Sequence, residues 1–248
     1  MHDLFGDIAE RAVERLREFE PAEGYYLAYS GGKDSDVLLH LARQSGVRFD
    51  AHHHLTTCDP PELVRHVKTQ ADVTIERPAE TMWQLIRRKG MPPRRNVRFC
   101  CEVLKEGGGR ARLVLTGVRW GESNRRSQRR MVESCLRDRS KRYLHPIIDW
   151  STDEIWRYIR GEKIPYCRLY DEGFSRLGCV LCPMATDVER QMQRWPALAQ
   201  AWERAIKATW DPAKPALRVF ADAEQYWQWW LDRRARAADY EMPLFFRD

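Results

Sequence analysis

No apolar stretch in the 248-residue sequence approaches the roughly 20 residues that a membrane-spanning helix requires. The N-terminal segment MHDLFGDIAERAVERLREFE carries acidic and basic residues throughout, which is not the pattern of a signal peptide. Internal repeats and low-complexity segments are also missing. Because hydrophobic content of 43% and charged content of 31% are typical of soluble globular proteins, we expect a cytoplasmic protein with no membrane partner.

A Walker-type P-loop is missing as well. The nearest candidate is YLAYSGGKDSDVLL, residues 26–39, in which an apolar run leads through small and charged residues to apolar residues at helical spacing. A Walker loop needs Gly, four residues and then Gly-Lys-Ser/Thr. Leu27 stands at the position of the first glycine, and Asp34 follows Lys33 where a hydroxyl residue is required. The segment therefore indicates a phosphate-binding turn of another kind.

Apolar periodicity and turn residues divide the chain into alternating strands and helices. Strands are predicted at 25–29, 47–55, 73–76 and 112–116, and helices at 3–19, 35–45, 61–69, 81–89, 100–105 and 149–160, the last with a capping box formed by Ser151 and Glu154. This alternation predicts an α/β fold, a mostly parallel twisted sheet flanked by helices on both faces. We expect three parts: an N-terminal amphipathic helix in 1–23, a nucleotide-binding domain in 24–187 and a helical C-terminal region in 188–248.

The turn after the first strand has the composition of an anion-binding site. Its glycines let the backbone approach phosphate oxygens closely, and the following helix N-terminus favours negative charge. Its two serines offer hydroxyl donors, Lys33 offers a positive charge, and Asp34 orients either Mg²⁺ or the loop itself. The candidate ligands are Ser30, Gly31, Gly32, Lys33, Asp34 and Ser35.

SGGKDS resembles the PP-loop of adenine-nucleotide α-hydrolases, and especially that of the phosphoadenosine phosphosulfate (PAPS) reductase group. Later segments resemble that family in the same order: TGVRWGESNRR (116–126), HPIIDWSTDEIWRYI (145–159) and IPYCRLYDEGFSRLGCVLCP (164–183). The resemblance covers roughly residues 24–187. It implies a Rossmann-like fold, ATP with Mg²⁺ as the nucleotide, and cleavage at the α-phosphorus instead of γ-phosphate hydrolysis.

The nucleotide pocket is expected at the carboxyl ends of the strands. Beyond the loop, the candidate nucleotide-binding residues are His54, Thr56, Gly117 and Arg119. Two arginines of the segment 116–126 are expected to neutralise phosphate charge as the α-phosphorus is attacked. The candidate catalytic residues are therefore Lys33, Asp34, Arg119 and Arg126.

Four of the seven cysteines form two short clusters, Cys100-Cys101 and Cys179-x-x-Cys182. Four thiolates suffice for one metal centre, either a [4Fe–4S] cluster or tetrahedral Zn²⁺. A directly adjacent pair fits the usual spacing of zinc ligands less well. The iron–sulfur branch of the resembled family holds its cluster with the same arrangement, which implies a [4Fe–4S] cluster on these four cysteines.

The remaining candidates are weaker. Cys58 lies just past a strand end near the expected pocket, and both a reactive and a packed thiol remain open for it. His52, His53 and His54 alternate along a strand, so their rings cannot easily converge on a metal. The C-terminal tryptophans are expected to pack in a core or an interface in preference to stacking on bases.

One feature departs from the thioredoxin-linked reductases of the resembled family: no cysteine follows Cys182, so their C-terminal catalytic cysteine has no counterpart. The net charge of +6, with arginine-rich runs near the motifs, suits a polyanionic partner. Within the family, the chain is similar to the ATP pyrophosphatases of DNA phosphorothioation, which implies an enzyme that uses ATP to adenylate an acceptor oxygen, expected here on nucleic acid, and releases pyrophosphate. Sulfur from a cysteine desulfurase partner then replaces that oxygen.

Two other functions remain open at this stage. One is the reduction of PAPS, or of its 3′-unphosphorylated analogue APS, with release of sulfite. The other is a non-catalytic iron–sulfur sensor that binds a nucleotide without turnover. The amphipathic N-terminal helix and the Trp-rich C-terminal region each offer a surface for a homodimer contact.

Overall fold

The computed structural model describes residues 4–135 and 138–233, which form two compact units interleaved along the chain. The first unit comprises the described residues of Met1–His54, Pro61–Glu76 and Gly107–Leu177. The second comprises those of Leu55–Pro60, Arg77–Glu106 and Gly178–Asp248. The three-part division by sequence order stays a prediction, and its last residues, 234–248, lie outside the described residues.

The sheet lies in the first unit. Its strands are β1 (Tyr25–Ala28), β2 (Phe49–His54), β3 (Val73–Glu76), β4 (Leu113–Leu115), β5 (Val132–Ser134) and β6 (Arg142–Leu144). Their order across the sheet is β3-β2-β1-β4-β6-β5, with every neighbouring pair parallel except β5 and β6. The mostly parallel sheet flanked by helices is confirmed. The sequence pattern did not predict β5 and β6.

The helices are α1 (Leu4–Glu18), α2 (Lys33–Ser45), α3 (Pro61–Lys68), α4 (Met82–Lys89), α5 (Phe99–Leu104), α6 (Thr152–Gly161), α7 (Val188–Arg194), α8 (Pro196–Lys207) and α9 (Ala223–Arg233). The predicted capping box starts α6: Ser151 Oγ accepts from the Glu154 amide, and the Ser151 amide donates to the Glu154 carboxylate. Among residues 4–135 and 138–233, no helix combines the length and the apolar character needed to cross a bilayer.

The core of the first unit lies between one face of the sheet and its helices. Leu27, Leu115 and Leu144 come from neighbouring strands, and Leu38 and Leu41 come from α2; all five are fully buried. Burying each such side chain stabilises the fold by about 1.5–3 kcal/mol. This packing holds α2 against the sheet.

Tryptophans build the core of the second unit. Trp202 stacks on Trp230 with ring centroids 5.1 Å apart and meets Trp83 edge to face at 5.4 Å. The Trp202 indole donates to the Val180 carbonyl at 2.9 Å, and the Trp230 indole donates to the Pro93 carbonyl at 2.7 Å. These contacts show that Trp202 and Trp230 pack in a core with their indole N–H groups satisfied.

Candidate functional site

The loop that connects β1 to α2 has the backbone of an anion site. Gly31 has a φ of +74°, a left-handed conformation that favours glycine. A Cβ there would lie 2.7 Å from Val67 Cγ2 and 2.8 Å from Leu63 Cδ1, so α3 packs directly on the loop. Gly32 is the N-cap of α2, which begins at Lys33. The positive end of the helix dipole therefore lies inside the motif, where it favours an anion.

The two serines of the loop brace it from within. Ser30 Oγ donates to Ser35 Oγ at 3.0 Å, and Ser35 Oγ donates to the Gly32 carbonyl at 2.8 Å. The Ser30 amide also donates to Ser35 Oγ, at 3.3 Å. Both hydroxyls thus hold the shape of the loop.

A chain of charges fixes the start of α2. Lys33 Nζ lies 3.1 Å from Asp34 Oδ2, and Arg119 Nε donates to Asp34 Oδ1 at 2.6 Å. Each Asp34 oxygen therefore has a cationic partner. This arrangement favours the loop-orienting role of Asp34 over a role as a Mg²⁺ ligand.

Arg119 is buried, with 1% of its surface exposed, and its guanidinium is engaged on three sides. Besides Asp34, it donates to the Trp150 carbonyl at 3.0 Å and to Thr152 Oγ1 at 3.4 Å. Its geometry is that of a positioning residue that connects the loop to the start of α6. A direct contact between Arg119 and a phosphate group stays a prediction.

Gly117 and Arg126 support the same arrangement. A Cβ at Gly117 would lie 2.9 Å from the carbonyl carbon and oxygen of Asp34, so the two backbones touch. Arg126 forms an ion pair with Glu122, whose other oxygen accepts from the Arg119 amide at 2.8 Å. Arg126 is about one-third exposed and remains accessible to an anion.

Behind the loop, a buried network missed by the sequence reasoning includes Asp36. Its Oδ1 accepts from the Tyr29 hydroxyl at 2.5 Å and lies 2.9 Å from His66 Nε2. Its Oδ2 is buried and has no hydrogen-bond partner within the described residues. Burial raises the pKa of Asp36, and the hydrogen bond to His66 opposes this shift. The sequence did hold one signal for this network: Asp36 is an acidic residue at a position of α2 where the apolar spacing predicts burial.

Asp36→Asn is expected to flatten the dependence of unfolding free energy on pH. Because its pKa is raised in the folded state, Asp36 contributes stability that is fully present below the unfolded value of about 3.9. That contribution is lost as the pH rises through the folded pKa. Urea unfolding between pH 4 and 8 should therefore show the wild type losing stability relative to Asp36→Asn.

Asp72→Asn is the matched control for this measurement. The hydrogen bond from Arg43 lowers the pKa of Asp72, so its contribution is present above the unfolded pKa and is lost as the pH falls. Above about pH 5 Asp72 is ionised in both states, so Asp72→Asn should run parallel to the wild type there, whereas Asp36→Asn should diverge from it. Parallel pH curves for wild type and Asp36→Asn would contradict the expectation.

The three histidines of β2 contact residues of the first unit, whereas Thr56 contacts residues of the second. His54 Nε2 lies 2.6 Å from the Tyr26 hydroxyl, and burial lowers the pKa of His54. His52 Nδ1 lies 2.9 Å from Glu76 Oε1, whereas His53 Nδ1 lies 3.0 Å from a backbone carbonyl. Thr56 belongs to the second unit, where its contacts are with thiols and a carboxylate. The assignment of His54 and Thr56 to a nucleotide stays a prediction.

In the second unit, Cys58 and Cys179 form a thiol pair. Thr56 Oγ1 lies 3.3 Å from each sulfur and donates to Asp59 Oδ1 at 2.7 Å. The Val180 amide donates to the Cys58 carbonyl at 2.8 Å, which joins the two segments. The hydrogen bond from Cys58 and the charge of a nearby lysine, Lys105, lower the pKa of Cys179, whereas burial raises that of Cys58.

Cys100 and Cys101 form a second thiol pair at the start of α5. Their mutual hydrogen bond lowers the pKa of Cys101 and raises that of Cys100. Arg98 donates to Cys101 Sγ at 3.0 Å and lowers the Cys101 pKa further. The charge of Cys179 raises the pKa of Lys105. Each pair thus favours one thiolate, with positively charged side chains beside it.

Comparison with known families gives a match over the segment that contains these motifs. The family model described as phosphoadenosine phosphosulfate reductase domain matches residues 24–185, a range that contains the loop, Arg119 and both cysteine clusters. The chain belongs to the phosphoadenosine phosphosulfate reductase domain family.

Relatives with this domain differ in length and in name. An uncharacterized protein of Methanocaldococcus jannaschii is 28% identical over 200 residues, which cover 73% of this chain and 41% of that protein. A probable FAD synthase of Caenorhabditis elegans is 28% identical over 186 residues, which cover 68% of this chain and 32% of that protein. The chain spans about half, or less, of the length of these curated relatives.

The fold agrees with that of solved structures of the same domain. A PAPS reductase from Candida auris, solved as a phosphate complex, superposes with a TM-score of 0.54 at 19% identity, covering 72% of this chain and 95% of that one. At this identity the likeness shows the fold alone. It places the loop of this PAPS reductase domain on a scaffold shared with the family.

The thiols of this PAPS reductase domain do not form a ready metal site. Among residues 4–135 and 138–233, no three His, Cys, Asp or Glu side chains are arranged to hold a metal ion. The four predicted ligands lie in one unit and influence one another's pKa, but Cys179 pairs with Cys58 while Cys100 pairs with Cys101. The geometry therefore does not support the predicted [4Fe–4S] cluster, although the donor set, thiolates beside cations, fits one chemically.

Proposed function

We propose that the chain binds ATP at the loop 30–35 and catalyses adenylation of an acceptor oxygen on nucleic acid. The acceptor oxygen attacks the α-phosphorus, the bond from the α-phosphorus to the bridging oxygen breaks, and pyrophosphate leaves with the bonding electrons. The terminal sulfur of a persulfide on a cysteine desulfurase partner then attacks the adenylated centre, the bond from that centre to the AMP oxygen breaks, and AMP leaves with the bonding electrons. A second thiol of the partner system reduces the remaining sulfur–sulfur bond, which leaves the sulfur on the acceptor. The observation that carries the nucleotide half is the start of α2, where Gly32 caps the helix, Lys33 lies in its first turn and Arg119 braces the loop through Asp34.

Adenylation is supported by the family and its relatives. Members of the family handle adenine nucleotides with sulfur chemistry or, in the relatives named FAD synthase, with synthesis of an adenine dinucleotide. Arg126, partly exposed beside the loop-bracing residues, supports the proposal because charge develops on the phosphate oxygens during the attack.

A nucleic-acid acceptor is supported by the surface that follows β4. Trp120 is 43% exposed, and its indole donates to the Arg129 carbonyl at 2.8 Å, so the ring is held in a fixed orientation. Exposed arginines occur in the same region, at Arg125, Arg130, Arg139 and Arg142. A fixed aromatic face among exposed cations suits stacking on a base with phosphates nearby.

A [4Fe–4S] cluster on Cys100, Cys101, Cys179 and Cys182 remains part of the proposal. It is supported by the thiolate character of Cys101 and Cys179 and by the neighbouring cations, which offset the negative charge of a thiolate-bound cluster. When bound, the cluster supplies a centre that positions groups or carries sulfur. Cys58 is a fifth thiol beside the set.

The test is a product assay on anaerobically purified protein, combined with iron, sulfide and zinc analysis. We expect equal amounts of AMP and pyrophosphate from ATP, more of both when DNA or tRNA is added, and about four iron atoms per chain. Lys33→Ala should lose most of this turnover while keeping its metal content, because the loop and the thiols belong to different units.

Three other outcomes of this assay would each contradict part of the proposal. Sulfite released from PAPS or APS without ATP would establish a reductase in place of the proposed enzyme. Tight nucleotide binding with neither product would establish a sensor. A stoichiometric zinc protein without iron would remove the cluster from the proposal.

A further inference from the structure

The hydroxyl of Tyr170 lies on the first turn of α2. Tyr170 ends the 3₁₀ turn Arg168–Tyr170, and its Oη accepts a hydrogen bond from the Lys33 amide at 2.9 Å. A Cβ built on Gly32 would lie 3.3 Å from the same oxygen. Tyr170, 137 residues away in sequence, therefore reaches the helix N-terminus where a phosphate group is expected.

Packing holds the Tyr170 ring in this place. Its ring meets Trp156 edge to face with centroids 5.2 Å apart, and Tyr166 at 6.4 Å. Lys33 Nζ lies 5.7 Å from the Tyr170 centroid, in cation–π geometry. The Gly173 amide closes the turn by donating to the Tyr170 carbonyl at 3.0 Å. The hydroxyl is thus preorganised by its aromatic neighbours.

The hydroxyl has a proton to offer. Its oxygen accepts from Lys33, and no acceptor for its own O–H group is found within the described residues. Burial raises the pKa of Tyr170, so the group stays protonated at neutral pH. A neutral donor beside a helix N-terminus complements a negatively charged oxygen.

We propose that Tyr170 is a phosphate-binding residue of the nucleotide site, whose hydroxyl donates to an oxygen of the pyrophosphate end of ATP while it accepts from the Lys33 amide. This inference rests on the proposed binding of ATP at the loop. It adds a ligand from a distant segment to the set that lies within the loop itself.

The test compares Tyr170→Phe with Tyr166→Phe in equilibrium binding of ATP, inorganic pyrophosphate and AMP. Tyr166 is the matched control because it belongs to the same aromatic group, but its hydroxyl donates to Asp171 at 2.8 Å. Tyr170→Phe should weaken binding of ATP and pyrophosphate by about tenfold or more, the loss expected for one hydrogen bond to a charged group. AMP binding should change little, and Tyr166→Phe should bind all three like the wild type.

Each other result overturns the proposal. Wild-type or tighter ATP binding by Tyr170→Phe would show that the hydroxyl is no ligand. Equal weakening for ATP and AMP, with a lowered thermal midpoint, would show a purely structural role. A wild-type protein that binds AMP but neither ATP nor pyrophosphate would instead refute the proposed function at this loop.

Discussion

Replacing Arg119 by alanine is expected to reduce ATP turnover by at least about a hundredfold and to lower the free energy of unfolding by about 3 kcal/mol. The guanidinium is 1% exposed and contacts Asp34, the Trp150 carbonyl and Thr152. Its removal leaves a cavity and an Asp34 carboxylate with Lys33 as its remaining cation. Urea unfolding and the rate of AMP formation measure the two effects separately.

Two comparison variants, Arg119→Lys and Arg126→Ala, separate the effect of the charge from that of the buried contacts. Lysine keeps the charge at position 119 but cannot reproduce the fork that reaches three acceptors, so it should recover stability only in part. Arg126 forms a partly exposed pair with Glu122, and its loss should change unfolding by less than about 1 kcal/mol. If Arg119→Ala keeps wild-type stability and full turnover, Arg119 neither positions the loop nor acts in catalysis.

Gly117→Ala is the second change with a large expected effect. The added methyl would lie 2.9 Å from the Asp34 backbone, and backbone atoms cannot rotate away as a side-chain end can. Relief requires a shift of the first turn of α2, which carries amides of the proposed phosphate site. We therefore expect ATP affinity to fall by about tenfold to a hundredfold, measured by calorimetry on folded protein.

Gly121→Ala provides the comparison. Gly121 lies four residues further along, and the nearest atom to a Cβ there is an Arg119 side-chain nitrogen at 4.0 Å. Both variants add the same methyl group, so a difference between them reports the contact with Asp34. Equal affinities for the two variants would remove Gly117 from the nucleotide site.

The fold was largely readable from the sequence because the central strands β1 and β4 are short apolar runs and clear helices separate the strands. The last two strands of the sheet, β6 and β5, were not readable in this way. β5 (Val132–Ser134) and β6 (Arg142–Leu144) have three residues each and polar flanks, so no period distinguishes them from loop. Pairing of β6 with β4 holds them, and such long-range pairing leaves no local signal.

The site was predictable where it is local in sequence. The loop and Arg119 were found from motif spacing, and the structure brings Asp34, Gly117 and Arg119 together. The separate roles of these residues were not predictable, because the bracing role of Arg119 depends on its burial, which the sequence does not show. Tyr170 was found only as part of a motif, because its contact with Lys33 spans 137 residues.

The thiols show the same limit. Spacing grouped Cys100 with Cys101 and Cys179 with Cys182, but the fold pairs Cys179 with Cys58. The pairing depends on a hydrogen bond between the Val180 amide and the Cys58 carbonyl, across more than a hundred residues. A reader of the sequence has no pattern that connects these two segments.

Trp120, whose ring is held in a fixed orientation, can serve as an intrinsic fluorescence probe. Of the ten tryptophans, all within the described residues, Trp120 alone is exposed. A water-soluble quencher such as acrylamide will therefore quench the emission of Trp120 most strongly, that of the four half-buried indoles less, and that of the five buried indoles least. The backbone of Trp120 directly follows that of Arg119, so its signal reports on the surface beside the loop without any label.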